Sequence, residues 1–393
     1  MSIALDVSMF AFSAAAAIVL LFAAYPTLLA LRAAVVPERK AVAPESQPRV
    51  SLLVVVRNAA ALLPGKIQNG LGLDYPRDRI EFIFHSDGST DGTEAILAAH
   101  AGPRFVWGAT PAHDGKQRCL NRAISLCTGE IVVFSDADAL LEPDSVRRLV
   151  SQFGDAAVGG VSGRTELGAD ETPLRDAQAA HLGWNARLKT LESRVASITS
   201  NDGKLYAMRR ELYRPIPDGA SDDLFTLLSV VAGRRRFVFE PRALARIRVP
   251  ARSPAHEIER RRRVVVLSLG AVFSIPEVLN PFRHGTFSLG LIVNKLVKRL
   301  VPFALLALVP SSVVAASRFS ILGWVVAVEA AAAGLVLLHP WLRTRRRGGV
   351  VRRAAEVAYF VALGQLGTLL GIIDYARGRQ ITRWEPVKSG TDR

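Results

Sequence analysis

The sequence predicts an α/β domain on a mostly parallel sheet, with membrane-crossing helices at both ends of the chain. Three observations predict it. Short strand-like runs alternate with helix-like segments between residues 49 and about 249. A charge-free apolar stretch, 9–31, precedes them, and the last third of the chain is apolar again. Polar and acidic residues follow the strand-like runs, so one edge of one sheet collects them.

The stretch 9–31 is long enough to cross a bilayer. A signal peptide is the competing reading, but its basic start is missing: the first residues carry Asp6 and no Lys or Arg, which favours a retained anchor. Residues 300–316 and 319–338 are further spanning candidates, parted by Ser317 and Arg318, and 354–373 is a third, interrupted by Glu356 and Gln365. The 50 Lys and Arg against 35 Asp and Glu give a net charge of +15, much of it beside these segments, as in "RTRRRGGVVRR" at 343–353. Such flanks are drawn to anionic lipid on the cytoplasmic side. No recognition-helix or RNA-binding pattern accompanies them, which argues against nucleic acid as a partner. Arg32, Arg39 and Lys40 place the domain inside, with the amino terminus outside. Cys119 and Cys127 are eight residues apart on one predicted helix. That is about 12 Å of rise, too far for a disulfide. No Cys/His spacing indicates zinc, and a reduced, cytosol-facing domain is expected.

The predicted organisation is an anchor (1–36), a linker (37–49), the α/β domain (50–252), basic interfacial helices (253–299), membrane helices (300–376) and a basic tail (377–393). Within it, 285–299 reads as an amphipathic surface helix. Phe287, Leu291 and Leu296 lie near one face, and Lys295, Lys298 and Arg299 reach for lipid headgroups.

Inside the α/β domain, "VSLLVVV" (50–56), "IEFIF" (80–84), "RFVWG" (104–108) and "IVVF" (131–134) read as strands, with "VGGVSG" (158–163) as a fifth. Helices are expected over 59–70, 93–100, 116–127 and 143–153. This alternation implies a mostly parallel sheet covered on both faces. Ligands bind beyond the carboxyl ends of such strands. Arg57 and Asn58 follow the first strand, "HSDGSTDGT" with Asp87 the second, and Asp136 and Asp138 the fourth. Each could be a turn or a helix cap alone. Gathered at one sheet edge, they read as a site. Two close carboxylates repel unless a cation joins them, and hard oxygen ligands suit Mg2+ or Mn2+ bridging to a substrate diphosphate.

"VSLLVVVRN", "DYPRDRIEFIFHSDGSTDGT", "DGKQRCLNRAISLCTGEIVVFSDADALLEPDSVRRLV" and "LYAMRRELY", in this order, resemble the family-two glycosyltransferases over residues 50–263. The resemblance implies a Rossmann-like GT-A fold, a nucleotide-sugar donor, a divalent cation and transfer with inversion. With its membrane segments the chain resembles the bacterial membrane-bound branch that builds exopolysaccharides and envelope glycans. Hyaluronan and cellulose synthases are distant relatives. By the same resemblance, Asn58 meets the nucleotide and Asp87 reads its base, usually uracil, with Ser86 where many members have a second Asp. Lys116 lies near the donor, Asp138 ligates the metal directly, and Asp136 contacts the ribose or the metal. In "SDDLFTLL" Asp223 aligns with the catalytic base. In "EIERRRR" Arg260 fits the arginine that neutralises the leaving diphosphate. Arg261 stands where processive members carry tryptophan, which argues against a polymerase. Asp202 and Trp184 are placed on the acceptor side.

The expected activity is transfer of a sugar, from a UDP-sugar by the base reader, to a glycan or lipid-linked acceptor at the cell membrane. Other polysaccharide-assembly proteins are conceivable partners. Two alternatives stand beside it: a processive synthase that exports its product, and a catalytically silent nucleotide-sugar sensor or partner subunit.

Overall fold

The computed structural model describes residues 2–37, 43–168, 175–247, 253–343 and 349–379. The long helix α1 (Ser2–Val35) is followed by the alternation read from the sequence: β1 (Val50–Val56), α2 (Leu63–Leu71), β2 (Ile80–Asp87), α3 (Thr93–Ala99), β3 (Phe105–Thr110), α4 (Lys116–Ala123) and β4 (Ile131–Ser135). Then come β5 (Ala139–Leu141), α5 (Ser145–Val150), β6 (Val158–Leu167), α6 (Arg175–Val195), β7 (Leu205–Arg209), α7 (Asp222–Ala232) and β8 (Arg236–Ile247).

All eight strands form one sheet in the order β3-β2-β1-β4-β7-β6-β8-β5. The first four pair in parallel, as do β6 and β8. Strand β7 runs antiparallel to both β4 and β6, and β5 antiparallel to β8. The sheet is therefore Rossmann-like and mixed. Burial on both faces explains why β1, Ser51 apart, is apolar. Leu52, Val54 and Val56 pack into the core on one face, and Leu53 into the core on the other. Each such burial contributes roughly 1.5–3 kcal/mol. Because β1, β2 and β4 are parallel, their carboxyl ends emerge at one edge, with Asn58, Asp87 and Asp136 just past or at them.

After β8 the chain is helical: α8 (Pro254–Ser274), α9 (Pro281–His284), α10 (Thr286–Leu291), α11 (Lys298–Arg318), α12 (Gly323–Arg343) and α13 (Gly349–Ala376). Ser253 caps α8, its Oγ accepting the His256 N–H at 3.2 Å with Pro254 in the first turn. Among the described residues, four helical stretches are long and apolar enough to cross a membrane: Asp6–Val35, Thr286–Arg318, Ser320–Leu342 and Gly349–Ala376.

Residues 285–299 depart from the expected surface helix. A π-helical turn, Ile292–Val297, joins α10 to α11, so the expected boundary at 299/300 falls inside one continuous helix. Its basic residues do not lie on the surface as read: Arg299 is 8% exposed, and Lys295 and Lys298 are half-buried. The apolar residues expected to face lipid instead join the core beneath the sheet, with Phe287 and Leu291 buried and Leu296 packed against them. Burying these three outweighs exposing the ammonium groups, since a lysine stem can itself lie along apolar surface. Helix α8 is clamped by α13. A Cβ added at Gly367 would lie 2.7 Å from Arg261 Cβ, and one at Gly371 2.8 Å from Val265 Cβ. Arg262 closes the pair with an ion pair to Asp374 at 2.8 Å. Arg39 and Lys40, the centre of the 343–353 basic run and the tail from 380 lie outside the described residues.

Candidate active site

The loops after β1 and β2 are tied together by their own side chains. Asn58 adopts a left-handed backbone, φ 46°. Its Oδ1 accepts the Thr90 N–H at 2.8 Å, and its own N–H donates to Ser89 Oγ at 3.0 Å. Arg57 Nη1 donates to the Asp87 and Gly88 carbonyls at 2.8 and 2.9 Å. Gly88 is left-handed (φ 56°), and a Cβ there would sit 2.5 Å from the Ala112 carbonyl carbon, so only glycine fits. Asp87 is 2% exposed. Its carboxylate accepts the N–H groups of Asp114 (2.8 Å) and Gly115 (3.1 Å), and His113 Nε2 lies 3.4 Å away. Here Asp87 holds the loop that opens α4, and His113, which carried no role in the sequence, shares that contact.

At the exit of β4 the acids form a chain with two lysines. Lys116 Nζ lies 2.8 Å from Asp222 Oδ2 and 2.8 Å from Asp136 Oδ1. Lys204 Nζ lies 3.0 Å from Asp136 Oδ2 and 2.8 Å from Asp138 Oδ1. Burial raises the Asp136 carboxyl, but Lys116 and Lys204 outweigh it and hold the group well below the usual carboxylate range. Burial lowers Lys116, and Asp136 and Asp222 more than reverse this. Beneath the turn, Lys66 is 2% exposed and donates to Ser135 Oγ at 2.8 Å and to the Ala139 carbonyl at 2.5 Å. Burial pulls it down to about 7 against the opposing pull of Asp136 and Asp138.

Asp223 stands in the first turn of α7. Its Oδ1 accepts from Ser221 Oγ and from the Leu224 N–H at 2.7 Å. Burial, then the charge of Asp222, push its carboxyl up to about 6, against the Ser221 hydrogen bond and Lys116. A Cβ at Gly203 would be 3.8 Å from both Asp223 Oδ2 and Lys116 Nζ, so Asp223 and the acid–lysine chain share one wall. Asp202 pairs with Lys189 at 2.7 Å, and Trp184 is 52% exposed.

The arginine run divides its work. Arg260 and Arg261 both pair with the fully buried Glu257, at 2.8 and 3.1 Å. Arg263 makes no hydrogen bond or ion pair among the described residues, and Asp136 and Asp222 are the carboxylates whose charge it feels. Burial lowers its pKa. Among the described residues no three His, Cys, Asp or Glu side chains converge on one metal position.

Lys204 and Lys66 were not singled out in the sequence. Lys66 shares the buried face of α2 with Leu63, Ile67 and Gly70, and a lysine on that stripe was a readable signal. Lys204 becomes visible only once β7 is paired with β4, where Leu205 faces Ser135.

Residues 51–216 match the model of the family described as glycosyl transferase family 2. The chain carries a glycosyl transferase family 2 domain. A beta-monoglucosyldiacylglycerol synthase of Synechocystis sp. is 34% identical over 124 residues, 30% of this chain and 26% of that protein. A poly-beta-1,6-N-acetyl-D-glucosamine synthase of Staphylococcus aureus is 26% identical over 156 residues, 38% of this chain and 37% of that one. The matched segment thus spans about a quarter to two fifths of these relatives. Among solved structures, a mannosyltransferase from Pyrobaculum calidifontis, in complex with GDP-Man and Mn2+, superposes with a TM-score of 0.69 at 24% identity, covering 93% of this chain and 99% of that one. That likeness establishes the shared GT-A fold of the glycosyltransferase domain and its helices.

Proposed function

We propose that this protein is a membrane-bound inverting glycosyltransferase that moves a sugar from a nucleotide diphosphate to a hydroxyl of a lipid or lipid-linked glycan at the cytoplasmic face of the cell membrane. One observation carries the reading. Two carboxylates, Asp136 and Asp138, converge within 3.0 Å of a single ammonium, on the same wall as a carboxylate raised to about 6. An acid poised near neutral pH is what general-base work requires.

In this reading Asn58 and the Asp87 loop form the nucleotide shelf, with UDP the favoured nucleotide. Lys116, Lys204 and Arg263 supply positive charge around the diphosphate, and Arg260 supports them from behind. The position between Asp136 and Asp138 already accepts a cation, Lys204, and two hard carboxylates suit Mg2+ or Mn2+. A divalent cation held by Asp136 and Asp138 would supply counter-charge to the leaving diphosphate. The free Oδ2 side of Asp223 takes the acceptor proton, while Ser221 and Leu224 fix Oδ1. The acceptor oxygen then attacks the anomeric carbon opposite the nucleotide, and configuration inverts. Single transfer is favoured over processive synthesis because Arg261, tied to Glu257, stands where a tryptophan would line a polymer path.

The test is nucleoside diphosphate release by the purified full-length protein, given a panel of UDP- and GDP-sugars with Mg2+ or Mn2+. Release that needs Asp223 supports the reading. Tight donor binding with no release under any acceptor would favour a silent sensor.

A further inference from the structure

A second charged site lies where α8 meets the π-helical turn and the start of α11. Lys298 feels the charges of Arg261, Lys295 and Arg299, all of one sign. The Lys295 carbonyl accepts from Arg299 Nη1 at 2.8 Å, but the Lys295 and Lys298 ammonium groups make no hydrogen bond or ion pair among the described residues, and the Phe22 ring lies 6.0 Å from Lys298 Nζ. The Nε atoms of Arg261 and Arg299 are buried without partners. The two glutamates beside it are engaged elsewhere. Glu257 is shared by Arg260 and Arg261. Glu192 is spent on Tyr25 (2.9 Å), Thr199 (2.9 and 2.6 Å) and Asn294 (2.8 Å). Clustered cations withdrawn from water are costly unless an anion joins them. The π turn that carries Lys295 is a feature enriched at functional sites.

The cluster is distinct from the donor charges at Asp136, yet it abuts the base, because Asp223 is among the carboxylates Lys295 feels. On its other side stand α1 and α11, both within candidate membrane spans, with Phe22 of α1 near Lys298. Resting on the transferase reading above, we propose that Arg261, Lys295, Lys298 and Arg299 bind the phosphate of the acceptor, a lipid whose phosphate lies between its hydrocarbon and its hydroxyl. The hydrocarbon then lies along α1 and α11, the phosphate meets the two ammonium groups and the unpartnered Nε edges of Arg261 and Arg299, and the hydroxyl beyond it reaches Asp223. A neutral diacylglycerol offers the cluster nothing.

The experiment uses full-length protein in phosphatidylcholine nanodiscs containing either phosphatidylglycerol or dioleoylglycerol, and measures lipid retained after extraction into neutral detergent. Phosphatidylglycerol should be retained over dioleoylglycerol by about tenfold or more, the effect of one or two charge-assisted contacts. The pair Lys295→Gln with Lys298→Gln should remove that preference, and Lys295→Arg with Lys298→Arg should restore it, which separates charge from folding. Equal retention of the two lipids, or a preference untouched by the Gln pair, overturns the proposal. Inorganic phosphate that protects the cluster while phosphatidylglycerol is not retained also overturns it, assigning the site to a soluble anion. Binding of fluorescent UDP and GDP on the same samples reads the donor site separately. Lipid preference without nucleotide binding upholds the phosphate site and sinks the transferase reading.

Discussion

Replacing Asp223 by Asn should separate chemistry, donor binding and stability. The amide keeps the size of the carboxylate and its Oδ1 still accepts from Ser221 and Leu224, so both hydrogen bonds survive. What goes is the proton acceptor. Loss of a general base costs about 10²–10⁴-fold in rate. Donor affinity should hardly move, because the proposed donor contacts lie at Asp136, Asp138, Lys116 and Arg263. Stability should rise at neutral pH. The native carboxyl is pushed up to about 6 by burial and Asp222, so the fold favours its protonated form. That contribution is fully present below the ordinary aspartate value near 3.8 and is lost as pH rises through about 6. At pH 7.5 the wild type therefore bears a penalty of at most ~3 kcal/mol, and about 1–2 kcal/mol after allowance for partial solvent access. The uncharged Asn variant escapes it. The assay pairs initial rates and nucleotide-sugar affinity with melting curves at pH 4 and 7.5. The expected result is a slow enzyme with normal donor affinity that melts higher than wild type at pH 7.5 and alike at pH 4. An active Asp223→Asn beside an inactive Asp222→Asn would move the base to Asp222. Near-normal rates in both would make the acidic pair a helix cap only.

Wild-type kcat/KM should climb about tenfold per pH unit below 6 and level off above it, as the Asp223 carboxyl ionises; a flat profile from pH 5 to 8 would contradict this. Asp138→Ala should abolish turnover and weaken donor binding in Mg2+ or Mn2+, and excess chelator should do the same to wild type; full activity in chelator would refute the cation. Arg263→Gln should raise the donor Kd by about tenfold, one charge-assisted contact, and more than Arg260→Gln, whose residue is held by Glu257; titration calorimetry with the nucleoside diphosphate decides. Gly367→Leu should destabilise by roughly 1–3 kcal/mol or more, because a Cβ already meets Arg261 Cβ at 2.7 Å; an unchanged melting temperature would mean α8 and α13 are not packed as described.

Strands β1 to β4 were legible because parallel strands buried on both faces are continuous apolar runs, and the residues after them share one edge by topology alone. Asp136 and Asp138 were legible for the same reason. Their counter-charges were not. Lys204 reaches them only through the antiparallel β4–β7 pairing, a contact between segments about 70 residues apart that no local pattern announces. Lys66 was announced, by a charge on the buried face of a short helix. In the arginine run, rotation about the α8 axis decides which guanidinium faces the acids. The family resemblance made Arg260 the candidate, while the packing against α13 and Glu257 leaves Arg263 unpaired on the acid side. Lys295, Lys298 and Arg299, three and four positions apart, were read as reaching for lipid headgroups. Which way they point depends on the core beneath the sheet, and there the expectation of a lipid-facing stripe failed.

The stereochemistry of the product tests the central claim most directly. Full-length protein in nanodiscs would be given an α-linked nucleotide sugar, Mg2+ or Mn2+ and a lipid acceptor, and the anomeric coupling of the new glycoside read by NMR alongside nucleoside diphosphate release. The account predicts a β-linked product formed one-for-one with released nucleoside diphosphate, both lost in Asp223→Asn. An α-linked product, or transfer that survives in Asp223→Asn, would contradict it.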